Sequence, residues 1–406
     1  MYHEPKFEPS REEMFQILSE NIHMTGRVEH VSIWEADGRY AAEDIVAKYS
    51  LPNRPASDFD GISVHFDDFS DGMPDTSKWI EGKDFAYSNT GVAISEGFDT
   101  VIAIEEVTKH EDGTITIGSV PAARGEHITP VGAQLREGEI LAKKGEQIHP
   151  ALIGILTEAG YQNVPVFCKP RVVFLPTGDE LVPSGGVVPA GMNVESNGAM
   201  VSAFVRRFGG DSVVTGILSD DMSVLKKELL NAVSWADLVI IGAGSSKGSK
   251  DFTMDVLETV GTVLVQEIGV APGKHCSLTM VENTPVLGIP GPPGGAQLAC
   301  QYYVKAAMEL MLTGSIAPVR KIPAVLDADW DMSEWRLDFL MPMALSLQED
   351  GYHVTPIQGW GFTRAESRCN QYVLTYFQKG RCYKKGEQVL AELVFPEITL
   401  GNVKND

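Results

Sequence analysis

The run Leu238-Val-Ile-Ile241 passes directly into Gly242-Ala-Gly-Ser-Ser-Lys-Gly-Ser-Lys-Asp251, so that a short apolar β segment ends in a glycine-rich junction. Two further junctions follow, Ala271-Pro-Gly-Lys274 and Gly288-Ile-Pro-Gly-Pro-Pro-Gly294. In an open α/β sheet such junctions lie beyond the carboxyl ends of strands, where backbone N–H groups and helix starts converge on a ligand, usually an anion. The flanking texture agrees. Arg171-Val-Val-Phe-Leu175 reads as a strand, Asn197 to Phe208 as a helix with Met200, Val201 and Phe204 inward, Ser212 to Leu218 as a strand and Val224 to Val233 as a helix. Asp251 to Val260 is again helical, and after the Val263 and Val286 runs a long helix covers Gln297 to Leu312. Strand and helix in alternation over short loops predict a parallel sheet covered on both faces.

Outward from this centre the pattern changes. From Ser10 to Val46 apolar residues recur at helical spacing (Met14, Ile17, Leu18, Ile22), with Ser10 as N-cap ahead of Glu12 and Glu13. Pro150 to Gly160 repeats the pattern and is expected to pack with it. Between them Leu51 to Gly145 is rich in Gly, Asp and short β runs such as Thr100-Val-Ile-Ala-Ile104 and Thr114-Ile-Thr-Ile117. From Ala317 the β texture returns, in Trp330 to Leu347, Tyr352 to Ile357, Tyr372 to Phe377 and Gln388 to Val394. The expected fold is therefore multidomain α+β. It comprises an elongated, helical N-terminal scaffold (1–46 and 146–168), an inserted β-rich domain (47–145), an α/β parallel-sheet domain (169–316) and a small, barrel-like C-terminal β domain (317–406).

Composition narrows the function. A chain of 406 residues with 43% apolar and 22% charged residues is globular and long enough for several cores. Its net charge of -22 repels phosphate backbones, and no basic patch offsets it, so nucleic acid is not an expected partner. No stretch approaches the roughly 20 apolar residues of a membrane span, and no signal-peptide core is visible, which predicts a cytoplasmic protein. Cys168, Cys276, Cys300, Cys369 and Cys382 form no CxxC pair and are expected to be reduced.

Phe174-Leu-Pro-Thr-Gly-Asp-Glu-Leu181, Glu195-Ser-Asn197, Gly216 to Asp221, Gly242 to Thr253, Pro272-Gly-Lys274 and Gly288-Ile-Pro-Gly291 resemble, in order and spacing, the molybdopterin-binding domain of the MoeA family of molybdenum insertases, which includes the gephyrin E domain. Upstream, Asp58-Phe-Asp-Gly61, Thr90-Gly91, Glu96-Gly97, Arg124-Gly-Glu126 and Glu137-Gly to Gly145 look like the family's N-terminal motifs. The resemblance implies a MogA-like central domain in a cytoplasmic homodimer. It also implies insertion of molybdate-derived metal into adenylylated molybdopterin, with Mg²⁺, release of AMP and contacts to other molybdenum cofactor proteins. Its motifs assign pterin or nucleotide contacts to Thr177, Gly178, Asp179, Ser196, Asn197, Pro272, Gly273 and Gly291. They also assign catalytic roles to Asp60 and Thr90, where a neighbouring subunit's β domain is expected to close over the site.

The residues' own chemistry points the same way. Gly242, Gly244 and Gly248 let the backbone approach a phosphate, and Ser245 and Ser246 offer hydroxyl donors. Asp179, Glu180, Asp220, Asp221 and Asp251 stand at or just beyond strand ends, where acids beside a phosphate need a hard cation between them. Their oxygen-only ligands suit Mg²⁺, with Glu180, Asp220 and Asp251 as the expected set. Lys274 supplies a point charge for phosphate or molybdate, and Pro290 and Pro293 stiffen the loop below it. Plainer roles exist: Asp179, Asp220-Asp221 and Asp251 as helix caps, Lys274 as a solvated lysine and Asp60 as part of an Asp-Gly turn. The chain also departs from the family, with Ala271 for a frequent Lys, Pro292 for Asn and His127 for Asp. Lys247 and Lys250 are candidates to replace the missing charge. Two other readings stay open here, a non-catalytic molybdopterin- or nucleotide-binding paralogue acting in delivery or scaffolding, and a nucleotide-phosphate hydrolase on the same sheet.

Overall fold

The computed structural model describes residues 8–243, 252–357 and 372–394. The chain forms two units, Glu29–Val166 and a larger one that joins residues up to Val28 to those from Phe167 onward.

The larger unit is built on six strands, β1 (Arg171–Pro176), β2 (Asp211–Val214), β3 (Leu238–Ala243), β4 (Thr262–Val265), β5 (Ser277–Val281) and β6 (Thr284–Pro290). They lie in the order β2-β1-β3-β6-β5-β4. The first four are parallel, as the alternating pattern predicts. The last two pairings, β6–β5 and β5–β4, are antiparallel, so β5 alone is reversed, which corrects the expectation of an all-parallel sheet. Only Glu282-Asn283 separates the paired Val281 and Thr284, and Glu282 takes φ +55°. Such a two-residue reversal can only return the chain antiparallel, since a parallel return needs a long crossover.

Around the sheet stand α1 (Arg11–Asn21), α2 (Asn197–Arg207), α3 (Met222–Val233), α4 (Phe252–Val260), α5 (Pro293–Ala299) and α6 (Lys305–Thr313). Cys300–Val304 forms a π-helical turn between the last two, so the long helix expected over Gln297 to Leu312 is present with one wider turn. On one face α3 and α4 bury Leu225, Leu229, Met254 and Leu257 against Val173, Leu175, Val239 and Ile241. Val172 and Phe174 of β1 are equally buried on the other face. A strand covered on both sides has no polar alternation, which is why β1 and β3 read as continuous apolar runs.

Ser10 caps α1 through a reciprocal box, accepting from the Glu13 N–H at 3.2 Å while the Glu13 carboxylate accepts from the Ser10 N–H at 2.8 Å. The helical texture expected to run on to Val46 ends at Asn21, because Gly26 turns the chain at φ +67° and Val28–Ser32 enters a strand. α1 packs on α6 within the larger unit, and Pro150–Glu158 lies against the Ile140–Ala142 strand within the smaller one.

Beyond α6, strands β7 (Lys321–Leu326), β8 (Asp338–Gln348), β9 (Gly351–Pro356), β10 (Tyr372–Phe377) and β11 (Gln388–Glu392) pair in the ring β8-β9-β7-β11-β10 and back to β8. The ring is a closed five-stranded barrel around Met343, Leu345, Val354, Val373 and Phe377. Closure removes the sheet edges that a small β domain would otherwise expose.

The β8–β9 hairpin carries a charged clasp. His353 Nδ1 lies 2.8 Å from Asp327 and Nε2 2.9 Å from Asp350, and carboxylates at both nitrogens require both to carry protons. The bond to Asp327, then that to Asp350, hold the imidazolium above its ordinary range against some desolvation. A raised pKa stabilises the fold fully below the unfolded value, about 6.5, and the gain disappears as pH rises through the folded value. His353→Asn should therefore cost about 1 kcal/mol or less at pH 6 and flatten the fall of Tm with rising pH, measured by thermal melts across that window.

The smaller unit has apolar clusters of its own, of which two are the larger. One gathers Val31, Ile33, Ile45, Ile148, Leu156 and Val164, and the other Ile62, Val64, Phe69, Phe85, Ile102 and Ile115. The second sits on an antiparallel sheet of Phe85–Ser88, Gly61–Val64 and Thr100–Ala103. No described helix is long and apolar enough to cross a membrane.

Candidate active site at the strand ends of the larger unit

After β1 the chain moves outward to β2, then returns past β1 to lay down β3 on its other side. The carboxyl ends of β1 and β3 therefore border a switch point, where the connections diverge and leave a crevice. A cleft of about 430 Å³ opens there, lined by residues from the ends of β1, β3 and β6 and from the start of α2.

The floor is made by Thr177, whose buried hydroxyl donates to the Gly242 carbonyl at 2.7 Å and ties the two strand ends together. Gly178 follows at φ +142°, a conformation an L side chain rarely adopts, and donates its N–H to Leu218 O at 3.1 Å. That turn brings the Asp179-Glu180 pair beside the segment that leads from β2 to α3. Asp179 accepts the Asp220 N–H at 3.2 Å, and Glu180 lines the cleft. Desolvation, and then the charges of Asp179 and Glu180, push the Asp220 carboxyl above its ordinary range despite a backbone bond at Asp179. Mutual repulsion of this kind is what a bound cation relieves. Asp221 instead caps α3, accepting from the Ser223 N–H at 2.7 Å, so for it the plain reading is right.

At the start of α2, Asn197 is buried and donates its amide to Gly291 O at 2.9 Å. Because that contact demands the NH₂ group, the other end of the amide is the carbonyl, Oδ1, which has no protein partner. Ser196 occupies the N-cap position without a side-chain cap bond, and Glu195 accepts the Gly198 N–H at 2.8 Å in its place.

A second cleft of about 380 Å³ shares Pro292 and Pro293 with the first. Pro272, Gly273, Lys274 and Pro290 line it, as do Ala271 and His275. Pro290 ends β6, and Pro293 opens α5 at the first helical position, where its missing N–H costs nothing. Lys274 is no free surface lysine. Its ammonium lies 2.9 Å from Glu8 and 3.2 Å from Glu267, and His275 Nδ1 lies 2.8 Å from the other Glu267 oxygen. Burial works against the Lys274 charge, and the two carboxylates more than offset it, holding the ammonium above its usual range.

The larger unit thus brings together Thr177, Gly178, Asp179, Glu180, Asp220, Ser196, Asn197, Gly242, Gly291 and Pro293, with Pro272, Gly273, Lys274 and Pro290 in the adjoining cleft. Gly244, Ser245, Ser246, Lys247, Gly248, Lys250 and Asp251 lie outside the described residues. Asp60 and Thr90 belong to the smaller unit, where Asp60 accepts from the Thr90 N–H at 2.8 Å and from its hydroxyl at 3.2 Å. Among the described residues no group of three or more His, Cys, Asp or Glu side chains is arranged to hold a metal. The four cysteines among them, Cys168, Cys276, Cys300 and Cys382, are free, and Cys369 lies outside. Sequence reasoning missed Phe174 as a cleft wall and the pair Glu8 and Glu267 as partners of Lys274; nothing in their local sequence distinguishes them.

Two family models match the chain. One, described as "MoeA N-terminal region (domain I and II)", covers residues 9–160, and the other, described as "Probable molybdopterin binding domain", covers residues 173–309. A molybdopterin molybdenumtransferase of Haemophilus influenzae is 32% identical over 388 residues, spanning 91% of this chain and 92% of that protein. One from Staphylococcus aureus is 26% identical over 320 residues, 75% of each. The crystal structure of the molybdopterin biosynthesis MoeA protein from Pyrococcus horikoshii superposes with a TM-score of 0.78 at 26% identity, covering 96% of this chain and all of that one.

Proposed function

The chain belongs to the MoeA family of molybdopterin molybdenumtransferases, and from that premise we propose that the switch-point cleft receives adenylylated molybdopterin and the Lys274 cleft receives molybdate. The chain is an enzyme of molybdenum cofactor biosynthesis that inserts molybdate-derived metal into the adenylylated pterin and releases AMP. The non-catalytic alternative is not favoured, because the relatives are named as transferases. The observation that supports this division of labour is the continuity of the two clefts, which share Pro292 and Pro293 as a common wall. A pterin seated in one thus lies next to an oxyanion in the other.

Each group then has a task. The unpartnered Asn197 carbonyl accepts an N–H from the ligand, a bond whose absence leaves a buried acceptor unsatisfied. Gly242 and the Gly244 to Gly248 segment admit the phosphate close to the backbone. Lys274 attracts the oxyanion as a compact charge. Glu180 and Asp220, with Asp251, would hold Mg²⁺, since an all-oxygen set with repelling carboxylates suits a hard cation. Such an ion would supply neutralisation of the phosphate charge and polarisation of the bond to the leaving AMP. The homodimer, the part played by Asp60 and Thr90, and contacts with other molybdenum cofactor proteins are proposed from the family resemblance.

The test is a two-stage incubation. The protein should hold adenylylated molybdopterin intact with Mg²⁺ alone and release AMP when molybdate is added. Binding without release in the second stage would overturn the assignment of the two clefts to one reaction.

A further inference from the structure

Two carboxylates surround the one lysine of the second cleft, which is an unexpected arrangement for an oxyanion site. Lys274 and His275 are the only ionisable side chains lining it among the described residues. The two acids differ in how firmly they are held. Glu267 is 5% exposed and bound to both Lys274 and His275, so it is part of the framework. Glu8 is 32% exposed, and an ion pair this close to water is weak enough to exchange.

The backbone carrying Glu8 is nevertheless fixed in place. The Gly269 N–H donates to Pro9 O at 2.8 Å, and a Cβ at Gly269 would meet Glu8 O at 3.3 Å and Pro9 O at 3.4 Å, so glycine lets the two segments pass. Immediately downstream Ser10 caps α1 and the buried Arg11 binds Glu392 of β11. The side chain can therefore swing while its origin stays beside Lys274.

We propose that Glu8 is a built-in competitor for the oxyanion. Its carboxylate holds the Lys274 ammonium until a tetrahedral dianion displaces it, and Glu8 thereby sets the oxyanion affinity of the second cleft. The displaced side chain moves to solvent, while Glu267 stays and keeps Lys274 and His275 aimed. This rests on the reading of that cleft as the molybdate site, and the test separates the two ideas.

Binding of molybdate alone to the full-length protein is measured by equilibrium dialysis at low salt for the parent, Glu8→Gln, Lys274→Ala and the double variant. Glu8→Gln should bind about threefold to fivefold more tightly, the fold-change matching an exposed ion pair, and the gain should shrink at high ionic strength. Lys274→Ala should weaken binding at least tenfold, and in that background Glu8→Gln should bring no gain. If Lys274→Ala loses affinity but Glu8→Gln is unchanged or weaker, the competitor role is overturned and the molybdate site stands. If Lys274→Ala binds molybdate like the parent, both are overturned.

Discussion

Glu180→Gln is expected to lower the rate of AMP release by about a hundredfold or more while leaving stability within about 0.5 kcal/mol of the parent. The first part follows from charge: the amide keeps the shape of the side chain but removes an anionic oxygen from the group proposed to hold Mg²⁺. The second follows from exposure, since Glu180 lies on the surface of the cleft and no apolar packing depends on it. The same substitution should let Asp220 titrate closer to the ordinary carboxylate range, because Glu180 is one of the charges that push it up. Raised Mg²⁺ should recover part of the lost rate if affinity for the ion is what was lost. Asp251→Asn, at a position outside the described residues, is expected to behave alike. Near-parent turnover by both variants would contradict the metal-bridged account.

Glu392→Ala should destabilise the larger unit by about 3–5 kcal/mol, read from the shift in denaturant midpoint. Glu392 is 1% exposed and Arg11 3%, and a single Arg11 nitrogen lies 2.9 and 2.8 Å from the two carboxylate oxygens. Tyr302 donates to the same carboxylate, and Lys321 stands 3.3 Å away. The guanidinium also lies over the Tyr302 and Tyr376 rings. Burial opposes the Arg11 charge, and Glu392 and Tyr302 more than compensate, keeping it firmly protonated. Removing the acid alone leaves a buried cation with only the exposed Glu12 as an anionic partner, whereas the Arg11→Leu/Glu392→Leu pair replaces both charges with apolar volume and should cost far less than the sum of the singles. A single-variant loss under about 1 kcal/mol would contradict this. Because the pair ties α1 to the barrel, Glu392→Ala should also loosen the segment that carries Glu8.

Much of this was legible in the sequence for identifiable reasons. β1 and β3 show as unbroken apolar runs because both faces are covered, and Ser10 with Glu13 announces α1 because capping is local chemistry. Thr177 to Glu180, Glu195 to Asn197 and Pro272 to Lys274 were found as short motifs whose spacing resembles a family. The antiparallel β4–β5–β6 edge was missed because an apolar run does not state its direction; only the two-residue Glu282-Asn283 reversal does, and it was passed over. The stop at Asn21 was missed because apolar residues recur by chance beyond Gly26. Glu8 and the Arg11–Glu392 pair were invisible for a stronger reason. Glu8 is far from Lys274 in the chain, and Arg11 and Glu392 are 381 positions apart, so neither pairing leaves a local pattern. Tertiary folding alone brings them together.

The most direct test of the central claim is the stoichiometry of a single turnover. Protein is incubated with adenylylated molybdopterin, Mg²⁺ and molybdate, and AMP and pterin-bound molybdenum are quantified in the same sample. One AMP released for each molybdenum incorporated, with no release when molybdate is omitted, is the predicted result. AMP released without metal uptake would contradict the account and identify the site as a phosphate hydrolase.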